Sequence, residues 1–146
     1  MPDLPRILAF KSSEFQMHWP DDASGGTADQ AEPWGLDLAE RISARLSEFD
    51  FEAERPLEAT EGWEVDVATP DARFSVFVHW APFGDRGEDH WVCQVFQRKN
   101  LLGRLLGRTN VPLIERLCES LETVVREFED TSDLRWLSME EFRELY

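Results

Sequence analysis

Between residues 63 and 98 hydrophobic and polar side chains alternate in three runs, the period-2 signature of strands with one buried face. In the first run Trp63, Val65, Val67 and Thr69 share one side, and Glu64, Asp66 and Ala68 share the other. Pro70-Asp71-Ala72-Arg73 follows as a turn, because Pro presets φ and Asp hydrogen-bonds nearby backbone. The second run groups Phe74, Val76, Val78 and Trp80 against Ser75, Phe77 and His79. Residues 81–89, with Pro82, Gly84 and Gly87, read as a longer hairpin loop. In the third run Trp91, Cys93 and Val95 alternate with His90, Val92, Gln94 and Phe96, so pairing must decide which side is inside.

A slip of one residue throws every apolar side chain to the wrong face, which makes the faces a constraint on register. Placing Thr69 opposite Phe74 sets Val67 against Val76, Val65 against Val78 and Trp63 against Trp80. Placing Val78 opposite Trp91 then sets His79 against His90 on the polar side, where Glu64 already faces His79. The expectation is a row of Glu64, His79 and His90. A shift of the second hairpin by two residues keeps the faces but separates the histidines.

Helical periods flank these runs. Over residues 34–49 Leu38, Ile42, Leu46 and Phe49 form one stripe with Ala39 beside it. Pro33 suits the start of this helix, and Asp37 and Glu40 place negative charge near the positive end of its dipole. Residues 111–129 form a second helix, with Asn110 as its cap and Pro112 in its first turn. Its apolar face is Ile114, Leu117, Cys118, Leu121, Val124, Val125 and Phe128.

After a break at residues 130–133, residues 134–137 read as a short extended segment. Ser138 and Glu141 make a capping box, with Leu137 and Phe142 at the staple positions, so a short helix starts at Met139. Residues 7–11 suit an opening strand, continued by 14–19 after Ser12-Ser13, and residues 21–32, with Gly25-Gly26, suit a flexible surface loop. The predicted fold is a single α+β domain over residues 1–146. It has an antiparallel three- to four-stranded meander, two main helices packed on one face and a short C-terminal helix.

Composition narrows the function. The chain has 146 residues, 42% hydrophobic, with six Trp and ten Phe, which suits a packed core and argues against wholesale disorder. Its formal charge of −15 repels nucleic acid and anionic membrane surfaces and favours a basic protein partner, although excess acid also serves plain solubility. Met1-Pro2-Asp3-Leu4-Pro5 lacks the basic start of a secretory signal, and no apolar run reaches spanning length, so a cytoplasmic location is expected. Cys93 and Cys118 fall on apolar faces and read as reduced, buried side chains.

The tandem Leu-Leu-Gly-Arg of residues 101–108, with Arg98 and Lys99, is a basic, apolar segment in an acidic chain. It suits a turn that closes the core, or contact with a partner or membrane surface. Together with the Trp63-Glu64-Val65-Asp66-Val67 and Trp91-Val92-Cys93 strands and the helix that follows, this layout resembles a group of small bacterial α+β proteins without an assigned activity. The resemblance implies a fold and a bacterial origin.

Motifs for phosphate cradling, zinc proteolysis, paired-cysteine redox chemistry and the Gly-x-Ser-x-Gly elbow are missing from the sequence. The Glu64, His79 and His90 row is the metal candidate: two imidazoles and a carboxylate suit zinc or another transition metal with a coordination position left open. His18 and Asp66 are possible additions, and proton sharing or a bare surface pair are rival readings. On the same side Phe77, Val92 and Phe96 are candidates for contact with a partner.

The preferred expectation is a non-enzymatic protein-binding or regulatory module, such as an acidic inhibitor or immunity-like protein, with no cofactor. It is compatible with a monomer or with a homodimer through the sheet. The alternative is a small metal-dependent enzyme using the His/His/Glu cluster.

Overall fold

The structure, a computed structural model, describes residues 6–15, 35–59, 62–83, 88–98 and 111–145. The elements are β1 (Ile7–Lys11), α1 (Leu36–Leu46) with a 3-10 turn (Ser47–Phe49), β2 (Glu52–Ala53), β3 (Leu57–Ala59), β4 (Gly62–Ala68), β5 (Arg73–Phe83), β6 (Glu88–Arg98), α2 (Val111–Arg126), β7 (Ser132–Leu137) and α3 (Met139–Leu145). The predicted loop at 21–32, His18, the Asn110 cap and the repeat at 101–108 lie outside the described residues, as does most of the predicted strand at 14–19.

All strands pair antiparallel in one seven-stranded sheet of order β2-β4-β5-β6-β1-β7, with β3 also on β4. The expected meander is therefore its middle, and the sheet is wider than the three or four strands predicted. β1 inserts beside β6, β7 adds beyond β1, and β2 and β3 share the outer edge of β4 as one strand interrupted around Pro56, where no ladder donor exists. β6 and β7 both run antiparallel to β1 and so parallel to each other; α2 makes the crossover between them.

Both long helices lie on one face, as expected from their stripes. Leu38, Ile42 and Leu46 of α1 and Ile114, Leu117, Leu121, Val124 and Val125 of α2 bury against Leu8, Phe10, Val65, Val76, Val78, Trp91 and Cys93. α1 starts at Gly35, whose φ of 108° is open to glycine and whose carbonyl accepts the Ala39 N–H. The turn that follows α2 closes on a left-handed Asp130 (φ 53°), and the Thr131 hydroxyl bonds the freed carbonyls of Val125 and Phe128. The Ser12 hydroxyl bonds the Glu129 carbonyl and Ser13 bonds the Asp130 carboxylate, so the irregular end of β1 is stitched to the end of α2.

The second face carries a separate, smaller cluster: Ile7, Ala9, Ala81, Val92 and Leu137, covered by Phe142 of α3 with Met139 beside it. The predicted capping box is formed: Ser138 N–H donates to Glu141 Oε1 and Glu141 N–H donates to Ser138 Oγ, each at 3.1 Å.

Both hairpins close two residues away from the predicted register. Val67 faces Phe74 and Val65 faces Val76, because Thr69 joins the turn instead of the last strand pair. Its hydroxyl accepts the Ala72 N–H at 3.0 Å and its own N–H donates to the Ala72 carbonyl at 2.8 Å, leaving only Pro70 and Asp71 as the loop. In the second hairpin Trp80 faces Trp91 and pairing continues to Phe83 and Glu88, through residues expected to be loop. Pro82 is tolerated there because β4 pairing stops at His79, leaving this end of β5 with one partner. Shifts of two keep every face, which is why the strand residues under α1 and α2 are those predicted although their partners are not.

Candidate functional site

The register dissolves the predicted Glu64, His79 and His90 row. Glu64 faces Phe77, His79 faces Val92 and Gly62, and His90 faces Ala81. Among the described residues no group of three or more His, Cys, Asp or Glu is placed to hold a metal ion. Each member of the row has taken other partners.

His79 is buried, stacked on Phe77 at 4.8 Å and met edge-on by Phe142 at 6.1 Å. The Gln94 amide donates to its Nε2 at 2.9 Å, which puts the proton of the neutral ring on Nδ1, beside the Trp80 carbonyl at 3.3 Å. Its ring is thus a packing element between an aromatic strand and α3.

His90 is 1% exposed and reaches across β1 to β7, where Nε2 donates to Asp133 Oδ2 at 2.7 Å. A bulge makes this contact. Between the Ala9–Arg135 and Lys11–Ser132 pairs β7 carries one extra residue, and Asp133 takes a left-handed φ of 48°. Asp tolerates this conformation better than most side chains. Arg135 bonds the same carboxylate at 3.0 Å.

The His90 hydrogen bond holds the Asp133 carboxyl below its ordinary value of 3.8, against an upward push from desolvation, and Arg135 adds to the lowering. A carboxyl depressed in the folded state adds stability above its unfolded pKa and loses it as pH falls through the folded one. Asp133→Asn keeps a side chain suited to the left-handed backbone. We expect it to be less stable than the wild type at neutral pH, by at most about 1 kcal/mol because the site is partly solvated. The gap should close in acid, below pH 3.8, and urea unfolding across pH measures it. A gap that stays constant with pH would contradict the pairing.

Glu64 and Asp66 belong to a different group. Arg98, half-exposed at the end of β6, donates from Nη2 to Glu64 Oε1 at 2.9 Å and from Nε to Ser75 Oγ at 2.8 Å, while Nη1 lies 3.5 Å from Asp66 Oδ2. Ser75 in turn donates to Asp66 Oδ1 at 3.0 Å. One guanidinium thus offsets part of the charge of the two carboxylates from within the sheet, and Asp66, which accepts the serine hydroxyl, is itself tied to Arg98. Neither thiol supplies a nucleophile near neutral pH, since burial pushes Cys93 up to about 12 and Cys118 up to about 11.

The partner-contact candidates divide. Val92 is fully buried beneath α3 and is corrected from surface to core, because the C-terminal helix covers this half of the second face. Phe77 is half-buried, and Phe96 is exposed at 42%. Sequence reasoning missed Leu57, which at 54% is the other large exposed hydrophobic among the described residues.

Leu57 pairs with Glu64, Glu64 with Phe77, and Phe77 with Gln94, so all four share one row of the second face. Phe96 sits in the next row, with Asp66 and Ser75. The only sequence cue to Leu57 was an apolar side chain in a Pro-bearing acidic stretch, which has no alternation to read. What the site offers is a ledge of Leu57, Phe77 and Phe96 interleaved with Glu64, Asp66 and Arg98.

No family model, curated protein or solved structure matches the chain. Among the described residues no helix is long and apolar enough to cross a membrane.

Proposed function

We propose that this protein is a non-enzymatic binding module that docks a basic protein partner on the uncovered half of its second sheet face, as an acidic inhibitor or immunity-like protein would. One observation carries the reading: Leu57 and Phe96, at 54% and 42% exposure, lie on the same face of the sheet around Phe77 instead of being scattered. Aromatic and aliphatic anchors in a polar surround are the usual composition of a binding patch. The charge of −15 would draw a basic partner at long range and make association sensitive to salt. The His/His/Glu metal reading has lost its geometry, and nothing else in the site favours it.

The test is capture from extract with the wild type and with a Leu57→Asp, Phe96→Asp double variant as baits, at low and high salt. Both substitutions sit on the surface, so folding stability should change by no more than about 0.5 kcal/mol each. We expect a protein partner retained by the wild type, weakened by salt and lost with the variant. Equal recovery with both baits would place docking elsewhere and overturn the reading.

A further inference from the structure

α3 is attached to the sheet in an unusual way. Phe142 is its one buried side chain among those described; Met139 is half-buried, and Glu140, Glu141, Arg143 and Glu144 are exposed. What Phe142 covers is the satellite cluster on the second face, separated by the sheet from the main core under α1 and α2. The capping box is internal to the segment: Ser138 and Glu141 satisfy each other whether or not the helix is docked. A helix of seven residues has little stability of its own, so its order depends on the packing of Phe142, with Met139 beside it, against the sheet.

We propose that α3 is a hinged strap that releases from the sheet at Ser138 while the strands stay folded. Release uncovers Ile7, Ala9, Ala81 and Val92. Val92 pairs with His79, one row from the Phe77–Gln94 pair. The uncovered patch therefore adjoins the Phe77 row of the ledge and extends its apolar area across β6 to β1, with the polar Gln94 and His79 between them. Its use in widening the docking face rests on the partner-binding reading above; its occurrence does not, and it is measured on the protein alone.

The test is native-state hydrogen exchange on the full chain at low, increasing urea. The probe is the Phe142 N–H, which donates to the Ser138 carbonyl at 2.9 Å, and the references are the amides of Ala9 and Val92 in the middle of the sheet. One buried aromatic anchor corresponds to protection of about ten- to two-hundredfold for Phe142, with at least about tenfold more for Ala9 and Val92. The Phe142 rate should be almost independent of urea, while the sheet amides follow the slope of global unfolding.

Phe142→Ala should abolish α3 protection, leave the sheet amides protected and raise the binding of a hydrophobic dye such as ANS. Exchange of Phe142 with the same protection and urea slope as Val92 would overturn the strap, as would loss of sheet protection in Phe142→Ala. If α3 opens as described but capture is indifferent to Leu57 and Phe96, the docking reading fails and the strap stands.

Discussion

Replacing Trp91 with alanine is expected to cost about 3–5 kcal/mol of folding stability, a large part of the roughly 5–15 kcal/mol a domain of this kind possesses. Trp91 is fully buried on β6, faces Trp80 and sits among the residues that α1 and α2 cover. Its ring also defines the start of α1: a Cβ built on Gly35 would come within 3.1 Å of the indole Cζ3. Deleting the ring leaves a cavity under both the sheet and the helix start, and neither can collapse into it without moving the other.

Trp91→Phe is the informative control. The indole N–H is buried and has no hydrogen-bond partner among the described residues, so its removal relieves about 1–3 kcal/mol of desolvation while costing part of the packing. The phenylalanine variant should therefore lose less than half of what the alanine variant loses. Urea unfolding followed by far-ultraviolet dichroism reads both. A phenylalanine variant as unstable as the alanine variant would mean that the indole N–H is satisfied.

The second large effect is expected at Gly62. Added there, a Cβ would lie 2.5 Å from the Val78 carbonyl oxygen and 2.9 Å from the Phe77 ring, on a strand paired to β5 along its whole length. The carbonyl belongs to the backbone and cannot turn aside, so β4 and β5 must separate locally. Gly62→Ala should cost about 1–3 kcal/mol. Phe77 must also lift off the glycine, which disturbs the ledge between Leu57 and Phe96. The variant should thus lose partner capture beyond what its stability explains, and retained capture with a lowered unfolding midpoint would show that Phe77 is peripheral to docking.

Residue alternation made the sheet faces legible, and helical spacing made both main helices legible. The core under α1 and α2 consequently contains the predicted Leu38, Ile42, Leu46, Leu117, Leu121, Val65, Val76 and Cys93. The capping box at Ser138 was legible because it is a local pairing of named side chains. Register was not, since a two-residue shift leaves the pattern of faces unchanged and was decided by one Thr69 hydroxyl and by how far β5 runs past His79. That single ambiguity created the histidine row on paper and removed it in three dimensions.

On the outer strands legibility was partial. β2 and β3 are too short to show a period; the extended segment at 134–137 was legible and is the larger part of β7, but not its start at Ser132, because the bulge at Asp133 breaks alternation to bring a carboxylate to His90. Exposure of the second face depended on where the C-terminal helix lands. Its sequence showed that a helix would form, and only its packing on Val92 and Ala9 showed which half of the face it covers.

The proposed docking face is the Leu57, Phe77 and Phe96 ledge. The most direct measurement is site-specific photo-crosslinking in cells, with a photoreactive side chain placed in turn at position 57, position 96 and position 119, the last exposed on α2 across the sheet. One protein partner should crosslink from 57 and from 96 and none from 119. Crosslinking from 119 with silence at 57 and 96 would contradict it.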